Sequence, residues 1–194
     1  MTAAGESGSE QWATQPTLAV WAYDSPMGAA AGFVRLHELQ RRGAVSVGDV
    51  VTVTWVNGTH RPRIGHLRAH RAYRGRSSYS VLGALADVLT FGPGPGRSGQ
   101  DPVVLLAGLV TGTGLNEEVL RTVRASITPG RSVMLVLSTG ADPAAALPAI
   151  QRGLDRGDVT LAHTVLAVDA ERTLRHAIET VLLDVARPVA NPAS

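Results

Sequence analysis

One local pattern occurs twice in this chain and limits the folds open to it: a short apolar segment, a capped helix start with a proline, and a second apolar segment. The four apolar segments are Thr17–Tyr23, Asp49–Val56, Arg131–Thr139 and Val159–Leu166. Ser25 and Pro26 begin the helix of the first copy, and Asp142 and Pro143 begin that of the second. Because Ser and Asp cap helix N-termini and proline fits the first helical turn, each copy predicts one β-α-β unit.

Two β-α-β units in one chain favour the ferredoxin-like split βαβ fold. We therefore expect a single α+β domain at residues 17–186, with a four-stranded antiparallel sheet whose first and third strands are central and with helices on one face. A long helical and loop insertion, residues 58–114, joins strands two and three in place of a short hairpin. Residues 1–16 and 187–194 are predicted to be disordered tails.

Two apolar stretches in the insertion, Ser80–Phe91 and Val103–Val110, flank a segment rich in glycine and proline. Each is about half the length of the roughly 20 residues that a membrane-spanning helix needs. They predict two helices that pack in pairs without crossing a bilayer. Gly108 and Gly112 lie four residues apart, a spacing that favours close helix packing, including packing between subunits.

Composition excludes several kinds of chemistry. All 18 basic residues are arginine, and the chain has neither lysine nor cysteine. A lysine Schiff base, a Walker A phosphate loop, a thiolate nucleophile and a cysteine metal site are therefore ruled out. His66 and His70 have the spacing of a helical metal pair, but the prolines and glycines around them argue against a helix. We predict no catalytic residue, no cofactor and no metal.

Arginine is concentrated between Asp49 and Asp87, a stretch with no acidic residue. The six arginines there are Arg61, Arg63, Arg68, Arg71, Arg74 and Arg76. They could bind a polyanion, with Tyr73 stacking on a base. The alternative is a solvated segment whose arginines pair with acids elsewhere. Because one aromatic residue accompanies six arginines and the rest of the chain is net acidic, we favour the solvated segment and expect no nucleic-acid partner.

Several segments resemble a known bacterial family. They are Thr17–Trp21, Leu36–Gly43, Val50–Trp55 and, most specifically, Gly114–Val119 with Ile127–Met134. On these residues the chain resembles domain of unknown function 1269, over roughly residues 17–178. The resemblance implies a βαβ–insert–αβαβ domain without an assigned activity, in a family often labelled membrane-associated for its glycine-rich apolar hairpin. Here Asp87 and the Gly-Pro repeats interrupt that hairpin, which argues against membrane insertion.

Aromatic residues on the predicted strands indicate where the domain makes contacts. A sheet face that helices leave open and that carries aromatic side chains usually marks a partner surface. We therefore predict a non-enzymatic domain that forms a homo-oligomer through its open sheet face and its central hairpin. The residues assigned to this surface are Trp21, Trp55, Gly108 and Gly112.

Two other functions stay open. One is a small-molecule-binding or oxidising enzyme with a pocket between the sheets of a dimer, lined by Trp21, Trp55 and His163. The other is a binder of polyanions or anionic surfaces through Arg61–Arg76. We expect a cytoplasmic location, with residues 80–112 as the candidate for peripheral contact with a membrane.

Overall fold

A computed structural model describes residues 15–66, 80–92 and 101–186. Within these residues the chain forms strands and helices in this order: β1 (Thr17–Tyr23), α1 (Gly28–Arg41), β2 (Val45–Thr54), β3 (Arg63–His66), α2 (Val81–Phe91), α3 (Pro102–Leu109), α4 (Glu117–Ser126), β4 (Ser132–Ala141), α5 (Pro143–Arg156), β5 (Val159–Val165) and α6 (Ala170–Ala186). Most of both predicted tails lies outside the described residues.

The strands form one antiparallel sheet in the order β3-β2-β4-β1-β5. The α+β class and the antiparallel pairing of the four predicted strands are confirmed. The prediction of four strands is wrong, because Arg63–His66 adds a fifth at the β2 edge. This strand is short, holds a glycine and lies at the start of the arginine-rich stretch, so it lacks the apolar pattern that marks the other four.

Successive residues of β1 and β4 face opposite sides of the sheet, and both sides are buried. One side carries Leu18, Val20, Val133 and Leu135, which form a core with α2, α3, α4 and α6. The other side carries Trp21, Tyr23, Met134 and Val136, which form a second core with α1 and α5. The prediction of helices on one face is therefore wrong. Strands that are apolar at successive positions bury both faces, and the insertion supplies much of the second helical layer.

Helix α1 begins at Gly28, two residues later than predicted. A side chain on the distant strand β4 caps its N-terminus. The Ser132 hydroxyl, on β4, accepts a hydrogen bond from the Ala29 N–H at 2.9 Å and donates one to the Ser25 carbonyl at 2.6 Å. Ser25 therefore does not cap the helix with its side chain, as the sequence predicts. The Asp142 carboxylate does cap α5, accepting from the Ala144 N–H at 2.9 Å.

A buried tyrosine brings α1 unusually close to β1. The ring of Tyr23 lies against Gly28 and Gly32, which are one helical turn apart. A methyl group at Gly32 would overlap the Tyr23 hydroxyl and would lie 2.7 Å from its Cζ. A methyl group at Gly28 would overlap the Tyr23 Cβ instead. Glycine at these two positions therefore makes room for the aromatic ring between helix and sheet.

The two apolar stretches of the insertion are helices, as predicted, and a carboxylate on β2 holds the first of them. Asp49 Oδ2 accepts hydrogen bonds from the Ser80 hydroxyl and from the Leu82 N–H, each at 2.9 Å. The Ser80 hydroxyl in turn accepts from the Gly83 N–H at 2.9 Å. These bonds fix the N-terminus of α2 over the sheet, where seven of its 11 residues are buried. No helix in the described part of the chain is both long and apolar enough to cross a membrane.

Candidate self-association surface

Helix α3 is held at its N-terminus by an ion-pair cluster. Asp101 caps the helix, since one of its carboxylate oxygens accepts from the Val103 N–H at 3.0 Å. The same carboxylate pairs with Arg124 on α4 at 2.8 Å and lies 3.8 Å from Arg121. Val103 and Leu106 are fully buried against the core shared with α4 and α6. This arrangement fixes which side of α3 faces outward.

The outward side of α3 is apolar. Its sequence, PVVLLAGL, holds no polar side chain, although only one side of the helix is buried. Val104 is 47% exposed and Leu109 is 43% exposed. Gly108 is also exposed, and a methyl group placed on it would meet nothing within 4 Å. We call Val104, Gly108 and Leu109 the α3 outer face; an apolar helix face at the surface is typical of a site of protein contact.

More apolar surface lies on the neighbouring helices of this layer. Phe91, at the end of α2, is exposed, and the following Gly92 packs against Pro102 at the start of α3. Leu182 and Leu183 are exposed on α6, whose inner side joins the same core as α3. The exposed apolar residues of the helical layer thus extend beyond α3 itself.

The four residues predicted for the assembly surface lie in different places. Trp21 is 7% exposed and belongs to the core with α1, so it offers no surface. Trp55 is half-buried, and its Nε1 donates to the Thr59 carbonyl at 3.0 Å. Gly108 lies on α3, whereas Gly112 follows the helix in a turn with φ +82°. The two glycines therefore do not form one helical stripe, and the predicted open sheet face is covered by helices.

The three residues assigned to the pocket of the enzyme alternative do not share one side of the sheet. Trp21 packs into the core with α1, whereas Trp55 packs against the core on the other side of the sheet. His163 lies on the Trp21 side, paired with Ala19 in the register of β5 with β1. Burial lowers the pKa of His163. Within the described residues, no cluster of three or more histidine and acidic side chains could hold a metal ion.

Only part of the predicted polyanion site belongs to the described residues. Arg61 and Arg63 are exposed, and Arg63 begins the edge strand β3. Arg68, Arg71, Arg74 and Arg76 lie outside the described residues. Binding of polyanions therefore remains a prediction for this stretch.

Sequence reasoning identified Gly108 but missed Val104 and Leu109. The signal was present, because a helix that buries one side ordinarily has polar residues on the other. Eight apolar residues from Pro102 to Leu109 leave no polar side at all. A stretch of this kind must be buried all round or must present an apolar face.

Comparisons with known proteins identify no relative of this chain. No family model matches the chain, and neither a search of curated proteins nor one of solved structures finds a similar protein. The resemblance to domain of unknown function 1269 stays a prediction.

Proposed function

We propose that this chain is a non-enzymatic domain that self-associates through the α3 outer face. The observation that carries the proposal is the exposure of Val104 and Leu109 on a helix without a polar side chain. Val104 and Gly108 are four residues apart and share one side of the helix. Because Gly108 has no side chain, a second helix can approach the backbone there closely.

A second copy of the chain is the partner that this face fits best. The three residues of the α3 outer face carry no charge and no hydrogen-bonding side chain, so a partner must supply apolar contacts. The same face of a second copy does so, and a two-fold contact places identical patches against each other. Both sheet faces are covered by helices in this chain, so the proposal depends on the helical layer alone.

We also infer that the domain is a modified ferredoxin-like fold. The four strands that come from the two β-α-β units are arranged β2-β4-β1-β5, with β3 outside β2. Helices α1 and α5, the crossovers of the two units, share one core. This arrangement supports a split βαβ plan with β3, α2, α3 and α4 as an insertion between its second and third strands.

The test is the oligomeric state of the purified chain, measured by light scattering after size exclusion over a range of concentrations. We expect the natural chain to exceed its monomer mass of 20.3 kDa. Val104→Asp places a charge on the α3 outer face and should shift the equilibrium to the monomer. Val34→Asp is the matched control, because Val34 is 69% exposed on α1, away from α3.

Two results would overturn the proposal. The first is a natural chain that stays monomeric at every concentration. The second is an oligomer that both variants leave equally intact. Far-UV circular dichroism and the thermal midpoint of each variant establish that a change in mass does not come from unfolding.

A further inference from the structure

Helices α1 and α5 meet on one side of the sheet, beside the charged side chain of Arg35. The guanidinium Nη1 of Arg35 lies 4.0 Å from the position that a Cβ on Gly153 of α5 would take. We call Tyr23, Gly32, Arg35, Gly153 and Val159 the α1–α5 junction. Arg35 is exposed, and within the described residues no acidic oxygen comes within 4.0 Å of it. The junction therefore carries a positive charge that no described carboxylate compensates.

The hydroxyl of Tyr23 lies at the same junction. The ring is buried, and a methyl group on Gly32 would overlap the hydroxyl, which places it about one helical turn from Arg35. Burial raises the pKa of Tyr23, and the positive charge of Arg35 opposes that rise, as expected of neighbouring groups. The hydroxyl forms no hydrogen bond with the described residues, yet it is not one of the enclosed polar atoms without a partner. It is therefore a free donor that reaches the surface of the junction.

Trp21, two residues before Tyr23 and on the same face of β1, adds a third donor. Its Nε1–H is enclosed and has no acceptor in the described part of the chain. The residues paired with it across the sheet are Met134 and Leu161, whose side chains hold no oxygen or nitrogen. Burying an N–H without an acceptor is unfavourable, so such a group in a folded protein needs an explanation. This part of the sheet face offers donors and is suited to a ligand that accepts hydrogen bonds.

An anion with a single negative charge fits these groups best. An arginine guanidinium donates two parallel N–H bonds to a carboxylate, and a tyrosine hydroxyl can donate a third. The rest of the α1–α5 junction is apolar, since Gly32 and Gly153 have no side chain and Val159 is buried beside Gly153. A phosphate monoester carries about −1.5 to −2 charges, which a single arginine matches less well.

We propose that the α1–α5 junction binds a small monocarboxylate with an apolar body. The carboxylate pairs with the Arg35 guanidinium and accepts a hydrogen bond from the Tyr23 hydroxyl, while the body of the ligand lies against Val159 and the backbone of α5. This site goes beyond the proposed self-association, because α3 packs on the other side of the sheet. Each of the two proposals can therefore fail without the other.

Benzoate and benzamide test the carboxylate directly, because they share an aromatic ring and differ in charge. Isothermal titration calorimetry should show saturable binding of benzoate, with benzamide weaker by at least about tenfold, as expected for the loss of a hydrogen bond between charged groups. Hexanoate, an aliphatic carboxylate, should also bind. The proposal is refuted if neither carboxylate binds saturably, if benzamide binds as tightly as benzoate, or if inorganic phosphate binds as tightly as the carboxylates.

A pair of arginine variants assigns the binding to the junction. Arg35→Gln removes the charge and should weaken benzoate binding by at least about tenfold. Arg172→Gln is the matched control, because Arg172 is also exposed and lies on α6, which packs on the other side of the sheet. An equal loss of affinity in the two variants would show that benzoate responds only to net charge, and it would overturn the site.

Two further variants test the hydroxyl and the independence of the site. Tyr23→Phe keeps the buried ring, removes one donor and should weaken benzoate binding by roughly fivefold; an unchanged affinity would contradict the proposed contact. Val104→Asp should bind benzoate as tightly as the natural chain, and a loss of binding there would contradict a site formed within one chain. Urea denaturation of each variant establishes that a loss of affinity does not come from unfolding.

Discussion

The close packing of Tyr23 against α1 gives a prediction that the structure specifies atom by atom. A methyl group at Gly32 would meet the Tyr23 hydroxyl first and Cζ next, at 2.7 Å. A methyl group at Gly28 would meet Cβ and Cγ of the same residue. The first conflict involves the end of the side chain, and the second involves the atoms nearest the backbone of β1. Removing the tyrosine hydroxyl should therefore relieve only the first.

The expected magnitudes follow from two opposing effects. Overpacking a core costs about 1–3 kcal/mol, and Tyr23 is buried, so the ring has little room to move. Replacing a helical glycine with alanine otherwise gains about 1 kcal/mol. Because the overlap with the Tyr23 ring is severe, the cost should lie at the upper end of this range, about 3 kcal/mol, and after the gain in helix propensity we expect Gly32→Ala to lower the free energy of unfolding by about 2 kcal/mol. In a Tyr23→Phe background about half of the lost stability should be recovered, and no more, because Cζ still lies too close to the added methyl group.

Urea denaturation of the four combinations measures the coupling between positions 23 and 32, with Gly28→Ala as the matched cycle. Gly28→Ala should be at least as destabilising as Gly32→Ala, and its cost should be the same with tyrosine or phenylalanine at position 23. Ala31→Gly, at an exposed position of the same helix, is the control for helix propensity and should cost about 1 kcal/mol. The reasoning is refuted if Gly32→Ala is neutral, or if phenylalanine relieves Gly28→Ala as much as Gly32→Ala.

Four other outcomes follow from the structure. Burial raises the pKa of Tyr23 to about 12. The free energy of unfolding should therefore be unaffected by this group below pH 10, the ordinary tyrosine pKa, and should fall by about 2–3 kcal/mol as the pH rises through the folded pKa. Tyr23→Phe should flatten this alkaline loss, measured by urea denaturation at each pH. Burial lowers the pKa of His163, so neutral His163 contributes fully to the free energy of unfolding above about pH 6.5, and this contribution is lost as the pH falls through the lower folded pKa. His163→Asn should remove this part of the loss of stability in acid. An unchanged dependence of stability on pH would contradict the expectation. Asp49→Ala leaves the N-terminus of α2 without its carboxylate and should cost about 1–2 kcal/mol in thermal melts, with Asp49→Asn less harmful because its amide oxygen still accepts. Duplex DNA should bind weakly at physiological salt. The opposite result is tight binding in which Arg61→Ala and Arg63→Ala each reduce the slope of log affinity against log salt concentration by about 0.9, and it would show that the arginine-rich stretch binds polyanions.

The sequence predicts the elements that depend on local patterns. Thr17–Tyr23 and Val159–Val165 are strands because β-branched and apolar residues fill them, and Asp142 caps its helix because the cap lies next to the residues it bonds. The bounds of α2 and α3 agree with the two apolar stretches to within one residue. These features need no knowledge of the rest of the chain.

Contacts between distant residues account for what the sequence missed. The cap of α1 comes from Ser132, 103 residues beyond Ala29, so no local motif marks it. The coverage of the second sheet face depends on where the insertion packs, and the insertion could equally have projected away from the sheet. For the candidate surface, Gly108 was found by its residue type, whereas the exposure of Val104 depends on which side of α3 the core occupies.

The two cores on either side of β4 have a consequence for strand register. In most sheets a shift of one residue moves apolar side chains into water, and that cost fixes the pairing. From Val133 to Leu137 every residue of β4 is apolar and buried, so the same shift would only exchange the contents of the two cores. The alignment must be selected by features that do not repeat along the strand. Ser132, whose hydroxyl joins the start of α1, is one, and the irregular pairing of β2 between Ser46 and Asp49 is the other. These two features select one pairing register of β4 among registers whose free energies would be nearly equal if burial alone decided.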